Sequence, residues 1–323
     1  MHIYNQKESI LRSASGKRSS ERISDEKNLF FKISLGQWSL HRAYFGPSAK
    51  LSDKEFSAQL HKNPSKLLEG HLDPLNFAKH AREKFDIRAV EYVNTFYFDK
   101  AKDAGYLKKL KNIADSEGVE SVLIMCDEEG ILGHSEKSEQ NKAVENHLKW
   151  IEAAAFLGCH AIRVNARSEG SYEEQMKRCA EGLRKLSEHG EKAGINILIE
   201  NHGGYSSHGK WLADTIRMVN HPRCGSLPDF GNFRISDKEH YDIYRGTEEL
   251  MPMAKGVSAK TFNFNRSGYE KDMDYKRLMK IVKDADYHGF VGIEYEGDSL
   301  PEEEGILKTK NLLIKSAKEL SDN

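Results

Sequence analysis

The stretch INILIENHGG, Ile195–Gly204, decides the fold. Ile195, Ile197, Leu198 and Ile199 form a near-continuous apolar run broken only by Asn196. A run of this kind suits a strand buried on both faces of a parallel sheet. It stops at Glu200, Asn201 and His202, and the glycine pair after them marks a sharp turn. An acid at the end of a buried strand is costly unless something pairs with it. By itself Glu200 reads equally as a salt-bridged or capping glutamate. The same shape recurs, however, at IRAVEYVN with Glu91, at CGSLPDFGNF with Asp229, and at GFVGIEYEG with Glu294 and Glu296. Repetition shifts the reading towards one shared site.

Working outward, short apolar runs alternate with amphipathic helical segments about eight times from Phe30 onward. The strands are expected at FFKISLG, IRAVEYV, ESVLIMCD, CHAIRVNA, INILIE, CGSLPDFGNF, AKGVSAKTF and FVGIEYE. Between them Asp73-Pro74 reads as N-cap and first position of a helix, and Gly118 and Gly194 read as helix C-caps. A polar insertion, Arg42 to about Leu72, is expected as short helices or a loop on one face. Eight such units in series fit a single-domain (β/α)8 TIM barrel spanning 29–323. An open doubly wound sheet is the alternative, but no Gly-rich phosphate loop follows the first strand. In a barrel all strands open their carboxyl ends onto one mouth. Glu91, Glu200, Asp229 and Glu294 then converge although they are distant in sequence.

With 38% apolar and 31% charged residues, the composition is that of a globular chain with a well-solvated surface. The 49 basic and 50 acidic residues nearly cancel, so no long-range field draws in nucleic acid or an anionic membrane. Cys126, Cys159, Cys179 and Cys224 match no CxxC metal spacing and read as buried free thiols of a reduced compartment. No apolar run approaches the roughly 20 residues of a membrane span. Residues 1–28 are polar, rich in Ser, Arg and Lys, and lack the apolar core of a secretory signal. They are expected to form a flexible extension, and a cytoplasmic location is the default.

Several carboxylates in one mouth repel each other, and a divalent cation is the simplest remedy. Oxygen-rich ligation favours Mg²⁺, Mn²⁺ or Co²⁺, with zinc compatible. Such a metal polarises a carbonyl or hydroxyl while a neighbouring carboxylate moves a proton on the adjacent carbon. The competing reading pairs these acids with Arg163, Lys260 or Arg234.

The strings VEYVNTFY, LIMCDEEGILG, AVENHLKWIEAAAFLGCHAIRVNA, IENHGGYSS, LPDFGNF, AKGVSAKTF and VGIEYEG resemble, in this order, the sugar phosphate isomerase/epimerase family of xylose-isomerase-like TIM barrels. The resemblance runs from Phe30 to the end. It implies a divalent metal held by Glu200, Asp229 and Glu294, with Glu200 and Glu294 also serving as acid and base on opposite faces of an enediolate. The seventh strand departs from the pattern. Where the family has a metal histidine, Gly256-Val257-Ser258-Ala259-Lys260 places Ser258. This leaves a three-carboxylate site, one that recruits His202, or one that uses Lys260 as a fixed cation. A substrate-side histidine three residues after the Asp is replaced by Asn232.

Further substrate contacts are expected from Arg163, Asn165 and His202 at strand ends. Arg163 is suited either to fork onto phosphate, carboxylate or vicinal hydroxyls, or to pair with Glu200 or Glu91. Trp38 offers a platform for a sugar face or packs at the barrel rim. Glu91 reads as a hydroxyl-binding or supporting acid, and His147 and Trp150 as helix packing residues. Glu296 shares the strand face of Glu294, and Glu294 is taken as the central one. The implied activity is a carbohydrate isomerase or epimerase acting on a small-molecule substrate, with self-association left open. Alternatives are a keto-sugar dehydratase or lyase, and a sugar-binding barrel without turnover. Endonuclease IV shares the fold, but its ligand histidines are missing at Glu91-Tyr92 and Met125-Cys126-Asp127.

Overall fold

The computed structural model describes residues 28–321. The polar extension expected over 1–28 lies outside these residues except for Asn28. Eight parallel strands run in chain order: β1 Lys32–Gly36, β2 Ala89–Val93, β3 Glu120–Met125, β4 Ala161–Asn165, β5 Asn196–Glu200, β6 Cys224–Leu227, β7 Val257–Thr261 and β8 Phe290–Tyr295. Each pairs with its neighbour in sequence except across β6 and β7, and β1 also pairs with β8, through Lys32↔Phe290 to Leu35↔Ile293. The seam between β6 and β7 is held by isolated bridges, Ser226↔Ala254 and Asp229↔Ser258. Pro228 and Asp229 explain the thin seam: proline has no N–H to give to a ladder, although its carbonyl accepts from Ser258 N at 2.9 Å. The barrel is therefore nearly closed, as the alternating pattern predicts.

The helices α1 His41–Phe45, α2 Asp53–Lys62, α3 Phe77–Phe85, α4 Ala104–Glu117, α5 Lys137–Leu157, α6 Tyr172–Ala193, α7 Gly209–Val219, α8 Ile243–Leu250, α9 Tyr275–Asp284 and α10 Glu302–Ser321 surround it. Gly118 and Gly194 take left-handed conformations, φ 61° and 74°, where each helix turns back into a strand. Ser171 opens α6 with a capping box closed by Glu174. Asp73 caps as expected, but a short 3-10 turn, Pro74–Asn76, precedes α3. Helix α8 ends at Leu250, and Pro252 falls in the turn Met251–Met253 that follows it.

The insertion 42–72 forms α1, α2 and intervening turns. It buries Tyr44, Phe45, Leu60 and Leu67, and Phe45 stacks on Phe96 with centroids 4.8 Å apart. Thus it packs over the β1–β2 side of the mouth rather than hanging in solvent. A small hairpin, Arg234–Ser236 with Glu239–His240, was not foreseen; its strands are too short for the alternation to register.

Candidate active site

Five acids and two cations meet at the carboxyl ends of the strands. Glu200 ends β5, Asp229 follows β6, and Glu294 lies in β8, each no more than 5% exposed. One carboxylate oxygen from each lies within 4.8 Å of the others. Lys260 on β7, in register with Glu294 on β8, reaches into this group: its Nζ is 3.2 Å from Glu294 Oε1, 3.1 Å from Glu296 Oε1 and 3.7 Å from Asp229 Oδ2. Burial works against the ammonium, yet these three acids hold its pKa well above the usual lysine range. Glu296 shows the counterpart. Burial pushes its carboxyl up, but Lys260 outweighs that and holds it below the ordinary value. Burial drives the Asp229 carboxyl well up; Lys260 opposes this, and Glu294 and Glu200 add to it.

Arg163 on β4 serves the other side. Its Nη1 donates to Asp127 Oδ1 at 2.8 Å, and its Nε lies 2.9 Å from Glu200 Oε2. The second contact is an ion pair without hydrogen-bond alignment, so both atoms stay without a hydrogen-bond partner. Burial works against the Asp127 carboxylate, but Arg163 prevails and holds it far below the usual range. The ion-pair reading of Arg163 is thus the geometry found, with Asp127 as the partner the sequence reading passed over. Asp127 sits just beyond β3, in the strand-then-acid pattern of ESVLIMCD, so the signal was present.

The supporting bonds are specific. Asn232 Nδ2 donates to Glu200 Oε1 at 3.1 Å, and Asn165 Nδ2 donates to Asp127 Oδ1 at 2.7 Å. Ser258 Oγ donates to Glu294 Oε2 at 2.8 Å, which commits the hydroxyl that stands in the histidine position. Asn201 and Asp229 exchange two bonds of 2.8 Å, fixing the β5 and β6 loops to each other. Ser39 donates to Ile293 O and accepts from Tyr295 N, which pins the backbone on either side of Glu294. Asn201 and Ser39 escaped the sequence reading because their partners lie far away along the chain.

Glu91 on β2 lies deeper, 2% exposed, accepting from Ser34 Oγ at 2.6 Å. Burial raises its pKa to about 7, with Glu294 and Glu200 adding to the rise. It supports the cluster from beneath and is outside the triad. His202 is half-buried just past β5 and also stands outside the triad. Trp38 is half-buried past β1 and stacks on His41 with centroids 5.1 Å apart. His147 and Trp150 pack within α5 as expected, both buried. Burial takes the His147 imidazole down to about 4.

The donor set fits a hard divalent cation. A metal with oxygen distances of about 2.1 Å spans oxygens about 4 Å apart, close to the spread of the triad. Asp229 Oδ2 and Glu200 Oε2 are buried oxygens without hydrogen-bond partners. Both retain lone pairs that a cation could take up, although Arg163 Nε and Lys260 Nζ now face them.

Residues 80–316 match the family described as "Xylose isomerase-like TIM barrel". The chain belongs to that family. Solved structures of this xylose isomerase-like barrel agree in fold. A D-tagatose 3-epimerase-like protein is 17% identical, with 90% of this chain and 99% of that one covered and a TM-score of 0.64. The 3-keto-D-glucoside 4-epimerase of E. coli is 13% identical, covering 75% and 94%, with a TM-score of 0.58. A xylose isomerase-like TIM barrel protein from Mycobacterium smegmatis, in complex with magnesium, is 13% identical, covering 90% and 97%, with a TM-score of 0.61. No curated protein matches by sequence. Among the described residues of this barrel, no helix is long and apolar enough to cross a membrane.

Proposed function

We propose that this xylose isomerase-like barrel is a carbohydrate isomerase or epimerase that moves a proton next to a carbonyl through an enediolate. The observation that carries the proposal is the buried convergence of Glu200, Asp229 and Glu294 at the barrel mouth. In this reading one of Glu200 and Glu294 takes the proton from the carbon beside the carbonyl. The electron pair moves towards the carbonyl oxygen, and the other glutamate returns a proton to the opposite face or the neighbouring carbon. Direction of reaction exchanges their roles.

Arg163 and Lys260 offer positive charge towards the enediolate oxygens. Asn232 and Ser258 hold Glu200 and Glu294 in place. Asn165, His202 and Trp38 are the proposed contacts to the rest of the sugar, and Glu91 is the supporting acid below. Glu200, Asp229 and Glu294 would hold a divalent cation, which supplies Lewis-acid polarisation of substrate oxygens. The epimerases with this fold support a carbohydrate substrate, and the magnesium complex supports a metal.

The test is metal content of protein purified without chelator, repeated on Glu200→Gln and Glu294→Gln, with a panel of ketoses incubated in D₂O and followed by proton NMR. The reading expects near-stoichiometric metal in the parent, its loss in both variants, and exchange of one carbon-bound proton in at least one ketose. A metal-loaded parent that exchanges no ketose proton would overturn it. A second reading, a sugar-binding barrel without turnover, is favoured by Lys260 standing against Asp229 and Glu294. Saturable sugar binding without exchange would select it, and loss of water from a keto-sugar would select the dehydratase alternative.

A further inference from the structure

The triad and Lys260 make opposed demands on one space. A cation held by Glu200, Asp229 and Glu294 needs oxygens of Asp229 and Glu294, the two triad acids that the Lys260 ammonium faces at 3.7 and 3.2 Å. Both oxygens of Glu294 are already engaged, Oε1 by Lys260 and Oε2 by Ser258. Arg163 offsets Glu200 on the far side. Lys260 is 2% exposed, so its charge has no direct escape to water. A divalent ion and an ammonium this close repel strongly in a dry site.

Among the described residues, two acceptors outside the triad already contact the ammonium. Glu296 Oε1 lies 3.1 Å and Asn232 Oδ1 3.3 Å from the Lys260 Nζ, and neither residue is in the triad. The Glu296 side chain is 26% exposed, so it stands on the outer side of the cluster.

We propose that Lys260 is the resident counter-ion of Asp229 and Glu294, and that Glu296 is the positioning acid to which it retracts when a divalent cation enters. Lysine and metal then alternate as partners of the same two carboxylates, without the ammonium leaving the barrel. This inference rests on the triad as a metal site. It assigns Glu296 a role that its position outside the triad leaves unexplained. Asp229 Oδ2 has no hydrogen-bond partner and only the longer 3.7 Å contact to Lys260, so it is the triad oxygen Lys260 holds most loosely.

The experiment is titration of apo protein with Mn²⁺, read by calorimetry and by the electron paramagnetic resonance signal of free Mn²⁺. Parent, Lys260→Met and Glu296→Gln are compared, with thermal unfolding as the folding control. Removing the competing charge is expected to tighten Mn²⁺ binding by about tenfold or more, and removing the acid that draws Lys260 aside to weaken it by about tenfold. In the Lys260→Met background the Glu296→Gln loss is expected to vanish, whereas a plain Coulombic role of Glu296 leaves it in place and would overturn the inference. Equal affinities in all three proteins, or weaker binding by Lys260→Met, would overturn the inference. Should Lys260→Met not fold, unchanged affinity in Glu296→Gln overturns it alone. Absence of Mn²⁺ binding in all three, Lys260→Met included, would remove the triad as a metal site and the inference with it. That result differs from three equal, finite affinities.

Discussion

Replacing Glu91 by Gln keeps the size of the side chain and the acceptor for Ser34 while removing the ionisable proton. In the folded barrel the Glu91 carboxyl holds its proton up to about pH 7, because burial and the nearby Glu294 and Glu200 disfavour its charge. In the unfolded chain the same group ionises near 4.5. Between these two values the folded state binds a proton that the unfolded state has released. Unfolding therefore becomes easier as pH rises through this window, and the contribution is fully present only below it. A separation of about 2.5 pH units at about 1.36 kcal/mol each gives about 3 kcal/mol for the full span. Urea unfolding of parent and Glu91→Gln, in chelator and at intervals from pH 5 to pH 8.5, isolates this term. The variant is expected to gain on the parent by about 2.5 kcal/mol from about pH 5 to 8.5, most steeply below pH 7. A constant offset, or a parent that gains on the variant with rising pH, would refute the account of Glu91 as a buried acid kept neutral by its surroundings.

Other outcomes follow from the same packing. Arg163→Met leaves Glu200 and Asp127 without their cation and should cost about 3–5 kcal/mol at neutral pH. Because Arg163 holds the Asp127 carboxyl down, this loss should shrink in acid as Asp127 takes up its proton; urea unfolding at two pH values checks both points. Gly292→Ala places a Cβ 2.6 Å from Glu91 Oε1 and should cost about 1–3 kcal/mol. That cost should fall when Glu91→Ala is combined with it, and an additive double mutant would show that the clash lies elsewhere. His202→Ala should change stability by no more than about 0.5 kcal/mol while raising KM for any ketose that exchanges. An equal fall in Tm and unchanged KM would make His202 a packing residue.

The sequence by itself determined the barrel. The apolar runs of INILIE and ESVLIM, the Gly118 and Gly194 caps, and the acids after each run are local signals. Hydrophobic period and backbone chirality act over a few residues, so they can be read along the chain. The convergence of Glu200, Asp229 and Glu294 followed from the barrel's topology alone. What the tertiary structure decided was pairing. Whether Arg163 faces a substrate or Asp127 and Glu200, and whether Lys260 lies against Asp229, Glu294 and Glu296, depends on distances between neighbouring strands whose residues are 31 to 37 positions apart. The same holds for Ser258, whose hydroxyl meets Glu294 from a neighbouring strand, and for Ser39, which reaches β8 from the opposite end of the sequence. Residue type sets what charge a side chain can carry. Only the closed ring of strands sets which charges meet in a space too dry to leave any of them unanswered.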